Sequence, residues 1–588
     1  MKYELINTIN PSFSMQEQIM YNRGIPREQM AHYLNTTEKD INDYWLLGRE
    51  EIQSTLAAIL STIQADKDAV VVVDCDADGY SSAAILINYL YDLFPVWTKN
   101  HISWFMHANK EHGLEDMPID NLSENVKLVL VPDAGSNDYA CHEKLKEKGI
   151  TVCILDHHEA SHKSQDAITI NNQLCDYPNK QLCGGGIVWQ VCRAFDEILD
   201  VSFAEQYIDL AAFANISDMM SLLSIETKEI IQEGLTQFRN PFLVHMAQQN
   251  AFSLGDTLTP IGCAFYITPY VNATIRSGSS IEKEVVFKSM LTMCAFEEVV
   301  STKRGHKLGD MEQLVVQAIR IVQSVKRRQK KAEDEGMALL DKLIQENEML
   351  KEPVLIFTLD KTSIEPNIRG LAANKIASKY QRPAIVTVKT TRDDTEVYAG
   401  SVRNFSGNEE QNLRGLLEDS GLVRYAQGHA SAFGVEFSCD QLENIKQLFR
   451  NRFKDCSQEP IYYVDFICNA QHHLNTEDIM DVVGMKSLWG QDFNEPLICV
   501  EKIPLDYTTI RILSRDKNPT LKLTHQNIEI MKFGLSEEEI EFFDAIEPNT
   551  YEINVVGTCS KNEWNGIVTP QILAKDYEIQ KVKKQYIF

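Results

Sequence analysis

Four consecutive valines lead directly into three aspartates at alternate positions in the segment VVVVDCDADG. The run of β-branched residues predicts a strand that is buried on both faces. Alternate residues of an extended chain share one face, so the carboxylates of Asp74, Asp76 and Asp78 are expected to point the same way until Gly79 turns the chain. Taken alone, such a segment is more often a solvated turn. Crowded like charges repel one another unless a cation lies among them, so the segment also predicts a cation site.

Two further apolar runs end in the same manner. KLVLVPD ends at Asp133, and TVCILD ends at Asp156, which His157 and His158 follow. Helix-compatible segments separate the runs, and this alternation is typical of a parallel α/β sheet. Because the carboxyl ends of parallel strands open on one crevice, we expect these side chains to converge with the first three aspartates. Mixed carboxylate and imidazole ligands favour Mn²⁺ over Mg²⁺ or Ca²⁺.

A further candidate ligand lies in the apolar helical segment YIDLAAFANISDMMSL. This segment contains Asp218 and a nearby competitor, Asp209, and a carboxylate in such surroundings is costly to bury without a partner. Two metal ions about 3.5 to 4 Å apart activate a water molecule and stabilise the leaving oxygen of a phosphoryl displacement. The residues therefore favour metal-dependent phosphoryl chemistry.

Composition sets broad limits on the class of protein. With 588 residues, 44% of them hydrophobic, the chain is expected to form several domains. A net charge of -27 argues against wholesale attraction to nucleic acid or anionic membrane, although it leaves room for a local basic channel. The odd number of cysteines, 13, without zinc-type spacing suits a reducing compartment. No apolar run is long enough to span a membrane, so a cytoplasmic protein is expected.

The motifs DCDADG, PDAG, LDHH and ANISD, in this order, resemble the four metal-binding motifs of the DHH phosphoesterase superfamily. Further segments narrow the resemblance to RecJ-type exonucleases. TPYVNATIRSG is similar to a segment of those enzymes, while YAGSVRN and QGHASAFG resemble their DHH-associated domain. LWGQDFNEP and NEWNGIVTPQIL are similar to stretches of their OB-type domain. The resemblance covers nearly everything after residue 67.

Periodicity and the resemblance together predict an α/β protein with a doubly covered parallel sheet, a long connecting helix, a second α/β domain and a C-terminal β-rich domain. The expected divisions are an N-terminal helical segment (1–66), a DHH catalytic domain (67–220), a helical connector with the long helix (221–350), a DHH-associated substrate-binding domain (351–455) and an OB-like β domain (456–588).

The resemblance implies a role for each residue that matches a family motif. The implied metal ligands are Asp76, Asp78, Asp133, His157 and Asp218, with Asp74 assisting. The implied catalytic groups are His158 at the scissile phosphate, Asp156 orienting the histidines and Arg276 holding phosphate. The implied substrate-binding residues are Asn272, Ser401, Arg403, Gly428 and His429. A strand-end cap is the alternative role for Asp156, and a surface ion pair is the alternative for Arg403.

The chain also departs from the family pattern. Some relatives carry a histidine four residues before the position of Asp76, where this chain has Val72. The first metal ion then has one possible nitrogen ligand fewer, and Asp74 or water is expected to compensate. A stretch that often supplies an arginine reads MHANKEHGL here and offers only His107, Lys110 and His112. The usual Gly-Gly-His reads Gln-Gly-His. These differences are expected to affect substrate binding more than the hydrolytic centre.

The expected function is a single-stranded-DNA exonuclease that acts from 5' to 3' with two Mn²⁺ ions, or with Mg²⁺. The resemblance implies a monomer in DNA repair and recombination, with a helicase or a single-strand-binding protein as possible partners and no membrane association. One alternative is a DHH phosphodiesterase acting on short oligonucleotides or cyclic dinucleotides, although the β-rich tail argues against it. Another is a non-catalytic DHH-fold replication scaffold, which is expected to have lost ligands that this chain keeps.

Overall fold

A computed structural model describes residues 1–108, 111–305, 307, 309–405, 408, 410–454, 461–470, 475–547 and 550–582. The chain divides into two compact units. Unit A consists of Arg23–Arg327 and Met485–Glu495. Unit B consists of Met1–Asn22, Arg328–Gly484 and Pro496–Phe588. The N-terminal 66 residues are thus shared between the units.

The strands are numbered in chain order. They are β1 Lys2–Leu5, β2 Asp68–Val73, β3 Ile102–Met106, β4 Val126–Pro132, β5 Thr151–Asp156, β6 Ile168–Asn171, β7 Glu298–Val300, β8 Met311–Gln313, β9 Leu355–Leu359, β10 Ala384–Arg392, β11 Thr395–Arg403, β12 Tyr425–His429, β13 Ala432–Ser438, β14 Ile461–Val464, β15 Phe466–Asn469, β16 Leu497–Pro504, β17 Ile510–Leu513, β18 Thr520–His525, β19 Ile528–Phe533, β20 Tyr551–Trp564 and β21 Ile567–Lys581.

The helices are numbered in the same way. They are α1 Met15–Asn22, α2 Arg27–Leu34, α3 Arg49–Gln64, α4 Ala77–Leu93, α5 Pro95–His101, α6 Tyr139–Glu147, α7 Gly184–Leu199, α8 Ile208–Ser217, α9 Ile225–Gly234, α10 Pro241–Gln249, α11 Ala251–Leu254, α12 Pro260–Tyr266, α13 Thr268–Ser277, α14 Ser280–Met290, α15 Thr292–Ala295, α16 Leu314–Glu346, α17 Pro366–Tyr380, α18 Leu413–Asp419, α19 Leu442–Arg452, α20 Thr476–Gly484 and α21 Glu537–Asp544.

The central sheet of unit A has the strand order β3-β2-β4-β5-β6, and every pairing in it is parallel. The predicted parallel sheet is therefore confirmed. Strands β2, β4 and β5 are almost wholly buried, which explains why their sequences are continuous apolar runs. From β2 the chain proceeds first to β3 on one side and then to β4 on the other. In such sheets, ligands bind beyond the carboxyl ends of the strands at this change of direction.

The two edge strands of this sheet, β3 and β6, were not predicted. β3 reads ISWFM and is buried fully only at its first residue, Ile102. β6 is only four residues long. Neither strand has the long apolar run of a strand covered on both sides, which is the signal that identified β2, β4 and β5.

Unit B contains a five-stranded sheet of order β12-β13-β11-β10-β9 and a seven-stranded sheet of order β15-β16-β20-β21-β19-β18-β17. Strands β9 and β10 are parallel and are separated in sequence by α17, whereas the other pairings of the first sheet are antiparallel. The predicted second α/β domain and β-rich C-terminal region are therefore both present. The long helix is present as α16, a helix of 33 residues.

The start of the chain differs from the expected helical segment. Strand β1 pairs in parallel with β14 in unit B. Tyr3 and Leu5 pack against a small core that includes Val464 and Val556. Burial of these apolar side chains favours a strand over the short helix that the sequence suggested. Among the described residues, no helix is long and apolar enough to cross a membrane.

One buried carboxylate of unit A holds two helices together. Asp209, at the start of α8, is completely buried. It accepts hydrogen bonds from the backbone N–H groups of Leu210 at 2.8 Å, Arg239 at 2.7 Å and Asn240 at 2.7 Å. The last two precede α10 directly, so this side chain links the start of α8 to the start of α10.

Replacement of Asp209 by alanine is expected to lower the free energy of unfolding by about 2 to 5 kcal/mol, because it leaves buried N–H groups without an acceptor. Urea unfolding of the metal-free protein, followed by far-ultraviolet circular dichroism, measures the change. Asp176→Ala, at an exposed position, is the control and should change stability by less than about 0.5 kcal/mol. Equal stabilities of the two variants would contradict the role of Asp209.

Candidate metal centre

Three aspartates meet where β2 and β4 end side by side. Asp74 and Asp76 follow β2, and Asp133 follows β4. One carboxylate oxygen from each lies within 4.8 Å of the others. Asp74 and Asp133 are almost completely buried. The parallel pairing of two strands thus concentrates negative charge at the crevice of the sheet.

A second group lies beside the first and is centred on His157. The Nε2 atom of His157 is 3.3 Å from Asp133 Oδ1, 3.5 Å from Asp218 Oδ2 and 3.8 Å from Asp78 Oδ2. Two atoms that bind one cation at about 2.1 Å each can lie no more than about 4.2 Å apart. All three separations from Nε2 meet this limit, and ligand atoms of Asp78, His157 and Asp218 all lie within 4.8 Å of one another.

Asp133 belongs to both groups and is held in an unfavourable state. Its φ is 68°, in the left-handed region that non-glycine residues seldom adopt. Both of its carboxylate oxygens are buried and have no hydrogen-bond partner among the described residues. Burial, with the charges of Asp78 and Asp76 next in importance, raises its pKa well above the usual range. A cation would satisfy both oxygens, and the surrounding carboxylates and imidazole are suitable ligands for Mn²⁺ or Mg²⁺.

Two further carboxylates have raised pKa values for the same reasons. Burial and the charge of Asp78 raise the pKa of Asp76 to about 6 and that of Asp218 to about 8. A raised pKa means that the surroundings disfavour the charged carboxylate. The centre is therefore arranged for a positive ion.

Asp78 differs from these carboxylates in its hydrogen bonds, because helix α7 begins directly against it. Its oxygens accept the backbone N–H groups of Gly184 at 2.9 Å and Gly185 at 2.8 Å, and the hydroxyl of Ser82 at 3.0 Å. A Cβ on Gly184 would lie 2.3 Å from Asp133 Oδ1, so a side chain does not fit there. The glycines that open α7 thus combine close packing with binding of an anion, and the anion is the carboxylate of Asp78.

Asp156 orients the loop after β5. Its Oδ1 accepts the N–H groups of His157 at 2.7 Å and His158 at 3.1 Å, and the ring Nδ1 of His158 lies 2.8 Å away. Its Oδ2 accepts the N–H of Ser136 at 3.0 Å. Although burial raises the pKa of Asp156, these bonds lower it to about 2. The bond to Asp156 raises the pKa of His158 to about 9.

The ends of α8 separate the two competing aspartates. Asp209, at its start, contacts backbone amides, whereas Asp218, directly after its end, lies beside His157. Sequence analysis named Asp218 as the candidate ligand and Asp209 as its competitor. Asp74 is held by the Nδ1 atom of His112 at 2.8 Å and by the N–H of Gly113 at 3.0 Å. Lys110 lies outside the described residues.

The remaining residues of unit A with an expected role lie on α13, which packs against α4 and α14. The Oδ1 atom of Asn272 is buried and, within the described part of the chain, has no hydrogen-bond partner. Arg276 lies in the last turn and is exposed.

Four residues with an expected substrate-binding role lie in the five-stranded sheet of unit B. Ser401 and Arg403 lie on β11, and Gly428 and His429 lie on β12. Across the intervening strand β13, Ser401 is opposite Gly434, and both Arg403 and His429 are opposite Ala432.

Directly opposed residues point to the same face of a sheet. Arg403 and His429 therefore stand on one face with only the small side chain of Ala432 between them. Gly428 has a φ of 132°, and a Cβ there would lie 2.9 Å from the carbonyl oxygen of Ala432. Gly428 thus shapes the backbone next to His429. Sequence analysis quoted the segment QGHASAFG, which contains Ala432 and Gly434, but assigned a role only to its Gly428 and His429.

Comparison with known proteins connects this geometry to a family. The model of the DHH family, N-terminal domain, matches residues 68–214, and the model of the RecJ OB domain matches residues 468–576. A prophage-derived protein of Bacillus subtilis strain 168, named as a candidate single-strand DNA-specific exonuclease YorK, is 31% identical over 591 residues, covering 100% of both chains. The single-stranded-DNA-specific exonuclease RecJ of the same organism is 24% identical over 96% of this chain and 68% of its own.

Solved structures show the same fold. RecJ of Thermus thermophilus in complex with Mn²⁺ has a TM-score of 0.69 at 19% identity, covering 100% of this chain and 80% of that one. The Mg²⁺ complex of that protein has a TM-score of 0.64 at 18% identity, covering 99% of this chain and 79% of that one. The expected α/β architecture with an OB domain is thereby confirmed. The chain belongs to the RecJ-type exonucleases of the DHH family.

Proposed function

We propose that this protein is a metal-dependent exonuclease specific for single-stranded DNA, and that it hydrolyses phosphodiesters with two Mn²⁺ ions, or with Mg²⁺. The observation that carries the proposal is Asp133, a buried carboxylate with no hydrogen-bond partner in the described chain, which lies in both candidate ligand groups. The names of the relatives, which give single-stranded DNA as the substrate, support it.

The ligand groups divide the work of holding the ions. Asp74, Asp76 and Asp133 would hold one ion. Asp78, Asp133, His157 and Asp218 would hold the other. When bound, the metal supplies an activated water molecule and stabilises negative charge on the leaving oxygen.

Side chains around the ions would hold the phosphate. His158 is half exposed and directs Nδ1 to Asp156, which leaves Nε2 available to donate a hydrogen bond outward. Its pKa of about 9 keeps the ring positively charged at neutral pH, which suits a bond to a phosphate oxygen. Arg276 is assigned the same task. Asp156, in this proposal, orients His158 and does not bind metal.

The sheet of unit B supplies a second binding surface for the DNA strand. Arg403 and His429 stand on one face above Ala432, and an open, small-residue floor between cationic or polar groups suits a sugar-phosphate backbone. Ser401, on the same face as Arg403, and Asn272, on α13 of unit A, are assigned to the strand as well. The family resemblance supports three further parts of the proposal. The enzyme degrades DNA from the 5' end, is a monomer, and acts in DNA repair and recombination with a helicase or a single-strand-binding protein.

Degradation of end-labelled DNA tests the proposed activity. With Mn²⁺, a single strand labelled at its 5' end should release labelled mononucleotide from the first turnover, whereas a 3' label should appear in products only late. Blunt duplex, short RNA and cyclic dinucleotides should react far more slowly, and chelation should stop the reaction. Early release of the 3' label would overturn the direction, and inactivity on all DNA would overturn the proposal.

Asp133→Asn should lower the rate of hydrolysis of single-stranded DNA by at least about a thousandfold. The shared ligand would hold both ions, which stabilise the negative charge of the transition state by several kcal/mol, and each 1.36 kcal/mol lost lowers the rate about tenfold. The same change removes a buried charge, so the metal-free variant should unfold at an equal or higher urea concentration. Asp166→Asn, in a surface ion pair with Lys146, is the matched control. More than trace activity in the Asp133 variant would contradict the assignment.

Binding of Mn²⁺ should become tighter from about pH 6 to about pH 9, because metal ligands must be deprotonated. In the metal-free protein Asp76 and Asp218 have pKa values of about 6 and about 8, so protons leave these groups as the ion binds. Isothermal titration calorimetry in buffers of different ionisation enthalpy counts the released protons. Asp218→Asn should release fewer protons near pH 8 than the wild type. An affinity independent of pH would contradict this picture.

A further inference from the structure

The end of strand β3 carries a histidine that no motif accounts for. In the parallel pairing of β2 with β3, Val72 is opposite Phe105 and Val73 is opposite Met106. The next residues in each strand direction are Asp74 and His107. The buried side chain of Val72 occupies the position where some relatives have a histidine. An imidazole is therefore present beside the carboxylates, but on the neighbouring strand.

The surroundings of His107 are those of an oriented metal ligand. Its side chain has 0% exposure, and its Nδ1 atom forms a hydrogen bond with Asp116. Its Nε2 atom lies 3.9 Å from Asp74 Oδ1. That Nε2 atom is buried and finds no hydrogen-bond partner in the described parts of the chain. A carboxylate that holds one ring nitrogen and leaves the other to a cation is a recurrent arrangement in metal sites.

The choice of tautomer follows from this contact. The Oδ1 atom of Asp116 accepts a hydrogen bond from Nδ1–H, so in the neutral ring Nε2 carries a lone pair. That Nε2 atom lies near the carboxylate of Asp74, and a lone pair beside a carboxylate is repulsive unless a cation lies between them. The separation of 3.9 Å is within the limit of about 4.2 Å for two atoms that bind one ion.

We propose that His107 is a nitrogen ligand of the ion held by Asp74, Asp76 and Asp133, and that Asp116 positions it. This inference rests on the proposed function, because it requires the metal centre. In this proposal the nitrogen comes from the end of β3, the strand adjacent to that of Asp74, which itself has Val72. His112 is a different case, because its side chain is 60% exposed and its Nδ1 is already bonded to Asp74.

Measurement of Mn²⁺ binding tests the inference without any assay of activity. Calorimetry should show that His107→Gln weakens the binding of one ion by at least about tenfold and leaves the other unchanged. Electron spin echo spectroscopy of bound Mn²⁺ should show the loss of one nitrogen coupling. Asp116→Asn should weaken the same ion by a smaller factor. His142→Gln is the matched control, because His142 is also buried and, among described atoms, its Nε2 also has no partner.

The outcomes separate this inference from the proposed function. If His107→Gln binds Mn²⁺ with wild-type affinity and nitrogen couplings, the inference is overturned while the metal centre stands. If Asp133→Asn also binds Mn²⁺ like the wild type, the metal centre itself is overturned. Circular dichroism of each metal-free variant establishes that the fold is intact, and His107→Ala provides a second substitution at the same site. Loss of binding in both His107 variants with wild-type spectra supports the inference.

Discussion

Repulsion among carboxylates at the tips of adjacent parallel strands is the constraint on which unit A depends. Parallel pairing places the residues after β2 and β4 side by side, and both tips carry aspartates. Asp133 is in the least favourable surroundings of these aspartates. Its backbone conformation is unfavourable, and the described chain supplies no hydrogen-bond donor to its two buried carboxylate oxygens. A fold that loses stability in this way needs compensation, and the cation of the proposed function would supply it directly.

The same type of side chain has three different fates within this unit. Asp209 receives three backbone N–H groups and serves the fold. Asp78 receives two backbone N–H groups from the N-terminus of α7 at the edge of the crevice. Asp76 and Asp218 receive little compensation, and their pKa values rise to about 6 and about 8. The number of backbone donors thus differs among these carboxylates, and the proposed ligand set includes both Asp78, which has two, and the less compensated Asp76 and Asp218.

Sequence predicted the parts of the fold that are encoded locally. Continuous apolar runs identified β2, β4 and β5, because strands covered on both faces have little choice of residue. The edge strand β3 was missed because it is short and mostly only partly buried, without a long apolar run, and the proposed role of His107 was missed with it. Sequence spacing also gave no means of separating Asp209 from Asp218, because that difference depends on the amides before α10. Long-range placement, and not local propensity, decides these points.

The position of the crevice explains how the proposed metal centre could take a ligand side chain from one strand or from its neighbour. The strand order β3-β2-β4 places β2 in the middle, so residues after β3 and β4 approach its end from both sides. In the proposed centre, a nitrogen ligand can therefore come from the end of β3 although β2 has Val72, provided that a second side chain fixes the ring. Asp116 meets that condition through Nδ1 of His107. A metal centre at the junction of several strand tips thus tolerates changes in the source of its ligands more readily than one built on a single loop.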